Sequence, residues 1–93
     1  MPRLLTVAGA QLGAIQRADS RGQVVDRLLA LVREAARMGA QLVVFPELAL
    51  TTFFPRWYTE DAALLDTWYE RTMPNASVQP LFDEAKRLKI GFY

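Results

Sequence analysis

Four apolar residues in succession, Leu42-Val43-Val44-Phe45, stop abruptly at Pro46-Glu47. Unbroken rather than alternating hydrophobicity marks a strand buried on both faces, as in the parallel sheet of an α/β protein. A similar run, Leu4 to Ala8, lies upstream, and Ile90-Gly91-Phe92-Tyr93 begins a third. Between the first two, Ser20 and Gln23 have the spacing of a capping box, in which each side chain satisfies the other residue's backbone N–H. Val24, Val25, Leu28, Leu31, Val32 and Ala35 then recur at intervals of three and four, with Gly39 placed to cap the C-terminal end. Strand, helix and strand in that order predict a right-handed βαβ unit with parallel strands.

Downstream, the stretch from Ala49 to Tyr58 holds Pro55 and the aromatic residues Phe53, Phe54, Trp57 and Tyr58, and reads as a rigid, partly buried loop. Thr59 is placed to cap a helix carrying Ala62, Leu65, Trp68 and Tyr69 and stopped by Pro74. Ser77 is placed to cap another, with Pro80 in its first turn and Val78, Leu81, Phe82, Ala85 and Leu88 toward the sheet. Lys86, Arg87 and Lys89 suit its C-terminal end. Three parallel strands need both faces covered, and the third is reached only at the last residues. The expected organisation is therefore a single unit, residues 1–93, forming the N-terminal portion of one larger domain truncated inside its third strand.

Composition narrows the partners. Hydrophobic residues make up 52% of the chain and charged ones 23%, as in ordinary globular material. Eleven basic residues against ten acidic ones leave a net charge of +1, which gives no electrostatic footing for nucleic acid or an anionic membrane surface. The Leu4–Ala8 run is too short for a signal peptide, and no segment approaches the roughly 20 apolar residues of a membrane span. The expected location is cytoplasmic. The chain has neither cysteine nor histidine, so Thr51 and Thr52 lack an imidazole that would activate a hydroxyl.

Sites in open α/β sheets form beyond the carboxyl ends of the strands, which is where Glu47 stands. Pro46 fixes the exit geometry. A carboxylate held beside Phe45, Phe53 and Phe54 is expected to be desolvated, which raises its pKa toward the range of a general base. The plainer reading is a glutamate in a solvated loop or capping the next turn. Phe53 and Phe54 either wall a pocket or staple the loop to the core. Arg56 reads as a stacking partner of Trp57, with a bidentate grip on a substrate carboxylate as the alternative. Trp68 and Tyr69 read as core or subunit-contact residues, and Lys86 and Lys89 as solvated partners of a helix dipole.

The segment Val43-Val44-Phe45-Pro46-Glu47 resembles the strand and catalytic glutamate of the nitrilase superfamily, the carbon-nitrogen hydrolases. The longer run Phe45-Pro46-Glu47-Leu48-Ala49-Leu50-Thr51-Thr52-Phe53-Phe54-Pro55-Arg56-Trp57 resembles one branch, the N-carbamoyl-D-amino-acid amidohydrolases, and Ala10-Gln11 and Ile90-Gly91-Phe92 also fit that branch. The resemblance covers the whole chain and about the first third of a family member. It implies a four-layer α-β-β-α sandwich and a Glu-Lys-Cys site with no metal and no cofactor. A thiolate attacks the carbamoyl carbon there, and water hydrolyses the thioester-linked intermediate. By resemblance Glu47 is the general base, and the lysine and cysteine lie beyond position 93, so the 93 residues alone are expected to be inactive; of the two readings of Phe53 and Phe54, the wall of a substrate-binding pocket is the expectation. The residues that grip the substrate carboxylate are likewise expected beyond Tyr93. The implied partner is a small carbamoyl amino acid, cleaved to D-amino acid, ammonia and carbon dioxide by a homo-oligomer, a dimer or tetramer. Two alternatives remain open: a sibling amidase (β-ureidopropionase, carbamoylputrescine amidase or aliphatic amidase), and a non-catalytic truncated assembly module.

Overall fold

A computed structural model describes residues 2–93. Its elements follow the chain as β1 (Val7–Gly9), α1 (Arg21–Arg37), β2 (Leu42–Val44), a 3-10 turn (Phe54–Arg56), α2 (Ala62–Asp66), α3 (Gln79–Leu88) and β3 (Gly91–Phe92). The three strands are parallel in the order β1-β2-β3, with Val7 opposite Leu42, Ala8 opposite Val43 and Phe92 opposite Val43 on the other side. The expected parallel α/β core is present. Among the described residues no helix is long and apolar enough to cross a membrane.

Helix α1 forms where its sequence directs it. Ser20 Oγ accepts from the Gln23 N–H at 3.1 Å, and Gln23 Oε1 accepts from the Ser20 N–H at 2.8 Å, closing the capping box. At the other end Gly39 takes φ +85°, and the Ala40 and Gly39 N–H groups donate to Ala35 and Ala36 carbonyls at 3.0 Å each, a Schellman closure that a side chain would strain. The buried stripe is Val24, Val25, Leu28, Leu29, Val32 and Ala35. Leu29 joins it where Leu31 was expected, and Leu31 lies half-buried at its margin. Val43 of β2, Phe45 just after it, Val78 at the cap of α3, Leu81 and Ala85 within α3, and Ile90 complete the core, with α1 packed directly on α3. Each fully buried side chain of this kind contributes roughly 1.5–3 kcal/mol of transfer free energy.

Three expectations need correction, the first of them concerning the strands, in where β1 starts and in how the sheet is covered. The first strand does not start at Leu4: it begins at Val7, and Leu4 and Leu5 remain 88% and 55% exposed. The helices cover only one face of the sheet. Ala8, Val43 and Phe92 point into the core, whereas Val7 stays exposed and Leu42 and Val44 only half-buried on the other face, so continuous hydrophobicity is not matched by two-sided burial. The radius of gyration, 15.0 Å, exceeds the roughly 12 Å of a compact chain of this length.

The second correction concerns α2. Asp61, not Thr59, is its N-cap, accepting from the Ala63 and Leu64 N–H groups, while Thr59 Oγ1 accepts from the Asp61 N–H one turn earlier. The helix ends at Asp66, short of Trp68 and Tyr69, because the Thr67 hydroxyl donates to the Leu64 carbonyl at 2.6 Å and local polar competition closes the turn. Third, Ser77 does not cap α3. Asn75 Oδ1 accepts from the Ser77 N–H and hydroxyl, taking the turn-forming role two residues earlier, and Val78 occupies the cap position. Lys89 then ends α3 in a left-handed conformation, φ 55°.

Candidate active site

The end of β2 is fixed from both sides. The Ala10 N–H donates to the Val44 carbonyl at 2.8 Å, and the Phe45 N–H donates to the Tyr93 carbonyl at 2.7 Å. Beneath them Phe45 is buried, its ring edge-on to Phe92. Pro46 then ends the ladder for want of an N–H. Glu47 follows in a turn whose next residue, Leu48, has φ 54°. A leucine in the left-handed region costs about 1–2 kcal/mol, and such strain persists where surrounding structure enforces it, most often at functional sites.

Glu47 lines a cleft of about 160 Å³ whose opposite wall is Leu12, Gly13, Ala14 and Ile15, the segment leaving β1. Both walls thus follow the carboxyl ends of neighbouring parallel strands, where α/β proteins bind ligands. The Arg27 guanidinium donates to the Gly13 and Ala14 carbonyls at 2.6 and 3.1 Å, tying that wall to α1. The volume is below the roughly 300 Å³ at which drug-sized ligand pockets begin.

The aromatic residues do not enclose the carboxylate as expected. Glu47 is exposed, not desolvated. Phe53 shares its cleft and is 54% exposed, whereas Phe54 is turned away and buried between Trp68, stacked at 5.4 Å between centroids, and Tyr69, edge-on at 5.5 Å. Phe45 sits in the core below. Of the three rings only that of Phe53 reaches the cleft: Phe53 is the residue before the 3-10 turn, and Phe54 opens the turn and is buried.

Next to this cleft lies a second, of about 150 Å³, and Ile15 and Thr51 line both. Thr51 Oγ1 is buried without a hydrogen-bond partner among the described residues. Arg17 also lines the second cleft, with its Cζ 5.6 Å from the Trp57 ring centroid and 5.8 Å from that of Trp68. Arg56 lies over Trp57 at 5.4 Å, in keeping with its reading as a stacking residue.

The carbon-nitrogen hydrolase family model matches residues 6–92. The chain belongs to that family. A nitrilase-like α/β fold and hydrolysis of an amidohydrolase type go with the membership, and the parallel sheet with its helical layer agrees with such a fold. Within this carbon-nitrogen hydrolase chain, sequence reasoning singled out Glu47 and Phe53 and missed Leu48, Thr51 and Arg17 as features of the two clefts. Nothing in a leucine's identity announces a left-handed backbone. Arg17 takes its setting from tryptophans far along the chain, and only a folded structure brings them together.

Proposed function

We infer that this chain supplies the general base of an enzyme that splits N-carbamoyl-D-amino acids into D-amino acid, ammonia and carbon dioxide. The observation that carries the reading is the placement of Glu47: beyond the central strand, in a cleft shared with the segment leaving β1, beside a strained Leu48. A carboxylate so held can take a proton from a thiol and, later, from the water that cleaves the thioester. Substrate entry into the cleft would strip water from it.

The 93 residues hold no cysteine, so the nucleophile belongs to residues outside them, as does the lysine that stabilises the oxyanion. On this reading residues 1–93 are the N-terminal portion of one larger domain. The uncovered sheet face carrying Val7, 51% exposed, supports this, since a layer of further structure would bury it. Phe53 then contacts the substrate directly, and Phe54 holds it in place from the loop's inner side.

The test uses the complete enzyme and a panel of D- and L-carbamoyl amino acids, carbamoyl-β-alanine and simple amides. Turnover of the D-carbamoyl compounds, reduced roughly 10²- to 10⁴-fold by Glu47→Gln, is the expected result. Turnover of simple amides alone assigns the chain to a sibling amidase, and unchanged rates in the variant remove Glu47 from the mechanism.

A further inference from the structure

Four charged or polar groups around the second cleft differ in one respect. Arg21 is paired with Glu70. The Asp19 carboxylate accepts from the Gln16 N–H at 2.8 Å and lies 3.8 Å from Arg27. Arg17, by contrast, meets no carboxylate among the described residues. Its guanidinium is held by two indole rings instead, which orient it without neutralising it. The Thr51 hydroxyl, without a hydrogen-bond partner among the described residues, is buried behind the same lining. An exposed planar cation that lines a cleft and has no carboxylate partner among the described residues is the complement of a small planar anion, since guanidinium and carboxylate match in geometry.

We propose that Arg17, clamped by Trp57 and Trp68, recognises the carboxylate of an anionic substrate whose scissile amide lies at Glu47. The two clefts share Ile15 and Thr51 in their linings, which sets Arg17 one side-chain layer from the cleft of Glu47. The inference rests on the reading of Glu47 as the base and deepens it, by placing part of carboxylate recognition inside these residues. The indole clamp also limits the entropy lost on binding, because the long arginine side chain is already positioned.

The decisive comparison is the complete enzyme and its Arg17→Gln and Arg17→Lys variants, acting on N-carbamoyl-D-phenylalanine and on the corresponding neutral carboxamide. Arg17→Gln is expected to lower kcat/KM for the acid about 10- to 100-fold, through KM, the loss expected for a charge-assisted hydrogen bond. The neutral compound should change by less than about twofold, because truncating the arginine removes no interaction specific to it. Arg17→Lys should recover part of the loss, keeping charge without the fork. Equal losses on both compounds, or none on either, overturn the proposal; the first outcome would make Arg17 only a loop clamp.

A second measurement does not depend on turnover. Tryptophan emission titrated with benzoate, with benzyl alcohol as the neutral control, should saturate for benzoate alone in the parent enzyme and fail to do so in Arg17→Gln. If the enzyme hydrolyses neither carbamoyl compound, the reaction assigned above fails by itself, and this titration still decides on Arg17: no response to benzoate, or the same response in the variant, overturns it.

Discussion

The helix-covered half of the molecule and the loop half are held together by different forces. The five most deeply buried side chains, Leu28, Val24, Val32, Val43 and Val78, all belong to α1, β2 or the start of α3. From Glu47 to Tyr69 the contacts are stacked rings, guanidinium over indole and one left-handed leucine. The contrast shows how a carboxylate can be placed accurately and yet remain exposed: β2 anchors its position from the packed half, and the loop half shapes the space around it. Rigid elements supply precision, and the loops they carry supply chemistry.

The largest expected difference between the halves comes from one substitution in each. Glu47→Gln should cost roughly 10²- to 10⁴-fold in turnover while leaving the unfolding transition where it was, since Glu47 is exposed and donates or accepts no hydrogen bond among the described residues. Leu28→Ala, at a side chain 1% exposed, should do the reverse. It should cost about 2–5 kcal/mol in urea unfolding, from lost transfer free energy and a residual cavity. Specific activity per folded molecule should hold. If Leu28→Ala instead lowered kcat at full folding, the separation between packed support and exposed site would be wrong.

What the sequence disclosed follows the same division. In the packed half, the capping box at Ser20, the stripe from Val24 to Ala35 and the glycine at position 39 are local signals, and each produced the element it predicts. The strand Leu42–Val44 was legible for the same reason. In the loop half, competition among neighbouring polar side chains decided the outcome: Asp61 displaced Thr59 as a cap, Asn75 displaced Ser77, and Thr67 ended α2 early. Which way an aromatic residue turns, as with Phe53 and Phe54, depends on partners distant in sequence, and no periodicity encodes it.

A smaller effect sharpens the comparison, because both halves contain a non-glycine residue in the left-handed region: Lys89 at φ 55° after α3, and Leu48 at φ 54° after Glu47. Lys89→Gly relieves its backbone at an exposed helix end and should stabilise the protein by up to about 1 kcal/mol with no change in rate. Leu48→Gly relieves a similar strain but gives up a half-buried side chain and frees the turn, so its net effect on stability should be closer to zero while kcat falls. Equal behaviour of the two variants in the assay would show that the conformation at Leu48 is incidental to the site.

The smallest effect tests a polar tie between α1 and α3 in the packed half. Glu84 of α3 accepts from Arg33 of α1 at 2.9 and 2.6 Å and from Arg87, and these two arginines hold its carboxyl below the usual carboxylate range. A carboxyl with a depressed folded-state pKa stabilises the fold above its unfolded value and loses that contribution as pH falls through the folded one. The difference in Tm between the parent and Glu84→Gln should therefore be constant near neutrality, begin to shrink below about pH 4.5, the ordinary value, and vanish once the depressed value is passed. It should also shrink with added salt, as Arg33 and Arg87 are 56% and 68% exposed. The absence of a difference at any pH would mean that the α1–α3 contact is held by its apolar stripe alone, with the arginines acting only as solvated surface.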